Sequence, residues 1–346
     1  MTGKKQRSVQ LVGSVPLSNS REVFDEVSAE LGALVPRIPD GETGERRHWV
    51  MFQVQAMGAI PNLIRTDVTV PGNPAKDLGI KVPSFGIKDP RQPLAFGPLG
   101  YASAAIASYQ EFKALKAAGQ IAAKTRFQVS VPTPLAVMSF FIDESSQASV
   151  EASYETRLMA ELTEIFSAIP PDQLSIQWDV CVEVLIMAGW ADANYHDKSE
   201  LSMLEKVARL GDAVPKDAEL GFHFCYGDPG HKHVIEPVDL AVCVKISNAL
   251  TERVHRAITW IHMPVPRNRD DEAYFASLRD LKLAKETQVF LGLVHLTDGV
   301  EGGSRRIATA ERFRADFGIA TECGFGRRPP ETVKDLLHLH RQLSSV

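Results

Sequence analysis

Short apolar segments rich in β-forming residues alternate along this chain with longer amphipathic stretches, and that alternation constrains the fold more than any other feature. The strand candidates are Ser8 to Ser14, Leu34 to Pro39, Phe127 to Val131, Leu174 to Trp178, Leu220 to Cys225, Ile258 to His262, Val289 to His295 and Gly318 to Cys323. Between them, helical patterns run over Ser20 to Leu31, Val150 to Ile169, Lys198 to Leu210, Pro237 to Arg256, Asp271 to Lys285 and Ser304 to Asp316. Strands that alternate with helices pair in parallel, and eight such units close into a (βα)8 TIM barrel, an α/β fold. The run Val238 to Val254 is readable as strand or helix. Leu240, Val244, Ile246, Leu250 and Val254 recur at roughly helical spacing, which favours a helix and leaves Ile258 to His262 as the sixth strand.

The stretch from 50 to 124, between the second and third strands, is too long for one crossover. Its Pro- and Gly-rich middle, Pro71 to Gly100, reads as an ordered insertion or lid, and Tyr101 to Lys124 as an Ala-rich helix. The expectation is a single barrel domain over 1–346 with 50–124 as a lid within it. At 346 residues, 44% hydrophobic and 23% charged, the chain has enough apolar material for one large barrel. A net charge of -5 argues against a nucleic-acid partner. The N-terminus is polar, and no apolar run reaches the roughly eighteen residues of a membrane helix, so a cytoplasmic protein is expected. Four cysteines in so long a chain do not form a disulfide framework, and reduced thiols are expected.

Barrel chemistry gathers at the C-terminal ends of the strands, and there this sequence is rich in polar groups. They are Ser14, the Asp40-Gly41-Glu42 turn, Thr133, Asp179, His223 with Cys225, His262, His295 and Cys323. Taken singly, each has an ordinary explanation, such as a turn, a helix cap or a packed Cys or His. Together they favour a pocket. His223 and Cys225 lie two apart on a strand and face the same way, presenting an imidazole and a thiol to one spot, a pairing suited to zinc. Cys323 closes such a site if the fold returns it there. Arg46, Arg47 and Trp49 follow Glu42 and offer a carboxylate clamp and an aromatic wall, or simply a hydrated turn. Arg305, Arg306, Arg327 and Arg328 follow the last two strands, where barrels often bind anions. Gly299 to Gly303 matches no nucleotide fingerprint, and His231 and His233 read as surface-loop residues or general acids.

In order along nearly the whole chain, these motifs resemble the catalytic domain of cobalamin-independent methionine synthase, within the uroporphyrinogen decarboxylase and methionine synthase-like barrels. Val12-Gly13-Ser14 is similar to the family's Ile-Gly-Ser, Asp40-Gly41-Glu42 to its His-Gly-Glu, and Val131-Pro132-Thr133 to its Gly-Pro-Val-Thr. Gln177-Trp178-Asp179 falls at its Gln-Ile-Asp-Glu-Pro, His223-Phe224-Cys225-Tyr226 at its zinc-binding His-Met-Cys-Tyr, and Cys323-Gly324 at its final Cys-Gly. The resemblance implies that His223, Cys225 and Cys323 ligate zinc, and that Ser14, Glu42 and Asp179 hold the polar part of a thiol substrate, with Thr133 and Trp178 beside them.

The family's fourth ligand is a Glu on the sixth strand, where this chain has His262 in Trp-Ile-His-Met-Pro, a competent zinc ligand expected to take its place; were 242–247 the strand instead, Ser247 or Asn248, both poor ligands, would fall there. The Asp-Glu-Pro motif has become Asp179-Val180-Cys181. Methionine formation from methyl folate is therefore not the leading expectation. That expectation is a zinc-dependent alkyl- or methyltransferase acting on a small thiol and an alkyl or methyl donor, with Asp179 and His295 as catalytic groups. The alternatives are a zinc-assisted lyase or hydrolase, and a metal-free acid-base lyase or binding protein on the same barrel. Homo-oligomer formation stays open.

Overall fold

The computed structural model describes residues 6–66, 82–228 and 232–346. Its centre is one curled sheet of seven parallel strands: β1 (Arg37–Pro39), β4 (Arg126–Pro132), β5 (Leu174–Val180), β6 (Glu219–Phe224), β7 (Trp260–Pro264), β8 (Gln288–Gly292) and β9 (Gly318–Ile319), adjacent in that order. A separate antiparallel hairpin, β2 (Leu63–Thr66) with β3 (Ser84–Ile87), belongs to the insertion. The helices are α1 (Ser20–Leu31), α2 (Gln53–Gly58), α3 (Tyr101–Ala117), α4 (Pro134–Phe141), α5 (Glu144–Ala168), α6 (Val182–Met187), α7 (Glu200–Asp212), α8 (Ala241–Arg253), α9 (Glu272–Phe275), α10 (Gly299–Glu311) and α11 (Val333–Leu343). Among the described residues no helix is long and apolar enough to cross a membrane.

The expected first strand differs. Ser8 to Ser14 runs between β9 and β1, yet it forms only one parallel bridge, Val9 with Ile319. Val9 N–H donates to the Leu34 carbonyl and Gln10 N–H to the Ile319 carbonyl, each at 2.9 Å. Beyond Gln10 the inward carbonyls of Leu11 and Val12 accept instead from side chains, Gln128 Nε2 at 3.0 Å and Ser130 Oγ at 3.2 Å. The ladder stops because its acceptors are taken, so strand pairing joins seven strands rather than the eight of a complete (βα)8 barrel.

Interior positions of the strands are polar to an unusual degree, and they are fully bonded. Arg37, 1% exposed, pairs with Glu219 and donates to Gln288 Oε1 at 2.9 Å and Gln10 Oε1 at 3.3 Å. Gln10 Nε2 then donates to Gln128 Oε1 (2.6 Å), Gln128 Nε2 to Gln177 Oε1 (3.0 Å), and Gln177 Nε2 to Asp179 Oδ1 (2.7 Å). This file of amides runs up the interior with every donor pointing the same way, from a guanidinium at the bottom to a carboxylate at the top. Buried polar groups cost little when each finds its partner, and a satisfied network holds its members in place.

The ambiguous run is helical, as α8, so His262 does lie on the sixth strand of the prediction, β7. The helix expected over Asp271 to Lys285 is cut to α9 and a single 3-10 turn. Asn248 stops it by donating to the Asp280 carbonyl (2.8 Å) and accepting from Lys282 N–H (2.7 Å), which removes the groups that would continue the helix. In the insertion, β3 packs beside the end of α4 through Asp143 N–H to the Phe85 carbonyl at 2.9 Å. The part of the proposed lid at 67–81, and His231, lie outside the described residues.

Candidate metal centre and its pocket

At the C-terminal ends of β5 and β6 the register sets the site. Asp179 pairs with His223, and Cys225 N–H donates to the Val180 carbonyl at 3.3 Å, which brings Cys181 beside Cys225. Alternation then sends Asp179, Cys181, His223 and Cys225 to the same face. The loop after β9 adds Cys323, whose sulfur lies 3.9 Å from that of Cys225. The ligand atoms of His223, Cys225 and Cys323 all lie within 4.8 Å of one another, and His223 and Cys225 are buried. All four cysteines are free thiols.

The tautomer of His223 follows from its neighbours. His262 Nε2 lies 2.9 Å from the Thr321 carbonyl, which can only accept, so this nitrogen carries the proton. A neutral His262 then has a bare Nδ1, and that atom lies 2.7 Å from His223 Nδ1. His223 must donate from Nδ1, leaving Nε2 with a free lone pair. Burial pushes His262 down to about 3 and His223 well below its ordinary range, so both rings are neutral. A neutral imidazole with one nitrogen held by a partner is the form a metal ligates. His262 thus stands behind His223 and outside the group of three ligand atoms. In the metal-free protein both thiols sit high: Cys225 through its hydrogen bond with Cys181, and Cys323 through its contact with Cys225, with burial adding to each. Arg327 counters this at Cys323, its Nη2 being 3.3 Å from the sulfur. Two soft sulfur donors and one prepared imidazole nitrogen fit zinc.

These groups open on a cavity of about 160 Å³ with Val12, Trp49, Met51, Phe140 and Leu185 on its apolar side and Ser14, Glu42 and Asp179 on its polar side. Asp179 accepts from Gln177 and from Trp49 Nε1 (3.1 Å). Burial nonetheless raises it to about 6, the two hydrogen bonds offsetting part of the effect. Glu42 is pushed well above the carboxylate range by burial and then by Asp179. Two buried carboxyl groups facing one pocket do not both ionise readily near neutral pH, and the more strongly raised Glu42 is the one that keeps its proton. Glu42 and Trp49 both have left-handed backbones, φ 48° and 56°, conformations that cost energy for residues with a side chain and concentrate at functional sites. Ser14 is fixed by the C-terminal loop: its carbonyl accepts from Phe325 N–H and its hydroxyl from Gly326 N–H at 3.2 Å. A Cβ on Gly326 would fall 2.7 Å from Ser14 Oγ, so only glycine allows this approach.

The other expected residues are placed elsewhere. Trp178 is fully buried on the opposite face of β5, turned from the pocket by the alternation that points Asp179 into it. Thr133 precedes α4 and does not line the cavity. His295 donates from Nε2 to the Val265 carbonyl (2.9 Å) and faces a second cavity, neutral with its pKa at about 3 through burial. Arg46 is held by Asp40 at 2.6 Å and Arg47 by the Gly326 carbonyl at 2.8 Å, so the clamp beside Glu42 is engaged internally. Reading the sequence missed Cys181 and the Arg327–Asp228 pair (3.0 Å) at the cluster. The only trace of Cys181 was its place two after Asp179.

Fold and site together define a barrel-like α/β protein with a buried His-Cys-Cys cluster at the C-terminal edge of its sheet. No protein-family model matches the chain, and no curated protein sequence matches it. Solved structures do: a B12-independent methionine synthase from Shewanella sp. W3-18-1, in complex with selenomethionine, shares 14% identity, covering 98% of this chain and 96% of its own, at a TM-score of 0.66. A Listeria monocytogenes protein provisionally described as a vitamin B12-independent methionine synthase gives 14% identity, 98% coverage of both chains and a TM-score of 0.56. The chain therefore shares the fold of these two structures, and at this identity the fold is what the match shows.

Proposed function

We propose that the chain is a zinc-dependent alkyl- or methyltransferase that uses a small thiol, built on a (βα)8-type barrel in which the segment Ser8 to Ser14 fills the eighth strand's place between β9 and β1 without regular strand pairing. The observation that carries the proposal is the three-donor cluster of His223, Cys225 and Cys323, with one imidazole already in the ligating tautomer. Three protein donors leave a fourth position for substrate. Bound there, zinc lowers the pKa of a thiol so that it reacts as thiolate at neutral pH.

The chain's own residues do the remaining work. Ser14 and the Glu42/Asp179 pair hold the polar end of the thiol substrate, and Trp49, Met51 and Phe140 enclose its carbon skeleton and exclude water. In the transfer, sulfur forms a bond to the alkyl carbon while the bond from that carbon to the donor's heteroatom breaks. The electron pair leaves with the heteroatom, which then takes a proton. The proton held on Glu42 stands in the cavity to supply it, with His295, on the adjoining cavity, as the relay. The stretch 50–124 begins at the cavity, where Val50 and Met51 line it, and serves as the lid of the single domain. His262 supports His223, taking the fourth ligand's place on the strand without its role.

Metal content of the wild type beside Cys323→Ala tests this reading. One zinc per chain, lost in the variant, supports it; a metal-free wild type that takes up no added zinc overturns it. A second reading draws on Asp179 at about 6, a suitable general base for zinc-assisted lyase or hydrolase chemistry. Turnover without any added thiol would select it.

A further inference from the structure

Cys323 stands in the wall between two cavities. One is the pocket above; the other, of about 450 Å³, lies beyond the ends of β7 and β8 and shares Asp228, Cys323 and Gly324 with the first. The second cavity is polar. His233, raised to about 9 by Glu322 and Glu236 against its burial, carries a proton at neutral pH and lies 3.1 Å from each of these carboxylates. Asp228 is taken by Arg327. The three acids of this chamber are thus engaged, and its remaining cations are Lys232, Arg267 and Arg328.

Of the four arginines that follow the last two strands, three are engaged. Arg305 pairs with Asp270 and Glu301 at 3.0 Å each, Arg306 is buried against Asp298 at 2.6 Å, and Arg327 holds Asp228. Arg328 differs: half-buried and lining the chamber, its guanidinium makes no side-chain hydrogen bond or ion pair among the described residues, and Asp228 and Glu322, acting from a distance, only partly offset its burial. Arg267, at the mouth, donates to the Thr297 hydroxyl at 3.0 Å and meets no carboxylate. A half-buried guanidinium without a carboxylate partner is costly to keep unless a ligand supplies one, and its planar fork matches a carboxylate or phosphate.

We propose that this chamber binds the second substrate of the transfer through an anionic group, a carboxylate or phosphate, held by Arg328 with Arg267. The proposal rests on the two-substrate reading above and deepens it. The thiol enters by the apolar pocket and the donor by the polar one, so the two meet from different sides at the cluster edge formed by Cys323.

The test is titration calorimetry of the full chain with inorganic phosphate and, separately, acetate. The variants are Arg328→Ala, Arg328→Lys and Arg267→Ala, with Arg305→Ala as a control and zinc content measured on every sample. At least one anion is expected to bind the wild type, with its Kd raised tenfold or more by Arg328→Ala, partly restored in Arg328→Lys and unchanged by Arg305→Ala. The tighter of the two anions assigns phosphate or carboxylate chemistry. Absence of binding by either anion, or equal affinity in wild type and Arg328→Ala, overturns the chamber's role. Zinc distinguishes the two failures. Full zinc without Arg328-dependent anion binding leaves the transferase reading and removes this one, whereas Arg328-dependent binding in a protein that takes no zinc does the reverse.

Discussion

Replacing Asp179 by Asn should make the protein more stable at neutral pH and less so, relative to wild type, in acid. The carboxyl is 6% exposed and its pKa is raised from 3.8 to about 6. At about 1.36 kcal/mol per pH unit, that rise means the ionised form costs the fold ~3 kcal/mol at pH 7.5. A raised pKa means the folded state binds the proton more tightly than the unfolded chain does. Stability from this group is therefore fully present below 3.8 and is lost as pH rises through about 6. Asparagine removes the charge, but its NH2 faces one of the two donors, Gln177 Nε2 or Trp49 Nε1, an unmatched contact costing about 1–2 kcal/mol. The variant should thus gain about 1–2 kcal/mol at pH 7.5. At pH 4.5 the charge penalty in the wild type falls to ~1 kcal/mol, and the variant should be no more stable. Urea unfolding of metal-free wild type and Asp179→Asn at both pH values measures the swing, expected to be about 2 kcal/mol. A difference between the two proteins that is the same at both pH values would refute the account of a charge held at a cost. Activity should fall in the same variant, since the substrate's polar end loses its acceptor.

Gln177→Met removes a donor to Asp179 and should push its pKa above 6, seen as a shift of the acid limb in a pH titration; an unmoved limb would show that Gln177 does not act on it. His262→Ala leaves the three ligand atoms in place but frees the His223 tautomer, so zinc affinity measured by chelator competition should drop roughly 10–100-fold. Undiminished affinity would remove the supporting role. Gly221→Ala places a Cβ 1.9 Å from the Trp260 ring inside the sheet and should cost at least about 1–3 kcal/mol in thermal or urea unfolding, with unchanged stability counting against the packing.

What the sequence made legible was whatever depends on local periodicity. The His-x-Cys pair shows because residues two apart on a strand share a face, and α8 shows because its apolar residues keep helical spacing. The same rule separates Asp179 from Trp178, and a strict reading of it would have excluded Trp178 from the pocket. Cys181 was hidden because it reaches Cys225 only through the register of β5 on β6, a long-range property. The arginines were legible as a group but not individually, since which of them meets a carboxylate depends on side chains 4 to 99 positions away. The first strand failed as a strand because side-chain amides from two other strands claim its carbonyls.

The separation of the cluster's donors along the chain has a consequence for how the protein is made. Cys225 and Cys323 are 98 residues apart, and a ribosome adding about 5–20 residues per second needs roughly 5 to 20 s to travel between them. Throughout that interval His223 and Cys225 are already synthesised while the loop that completes the centre, and that also buttresses Ser14, does not yet exist. Firm zinc binding, on the function proposed above, would therefore wait for Cys323: until that residue is made, a nascent chain offers only an incomplete, weakly retaining pair of donors.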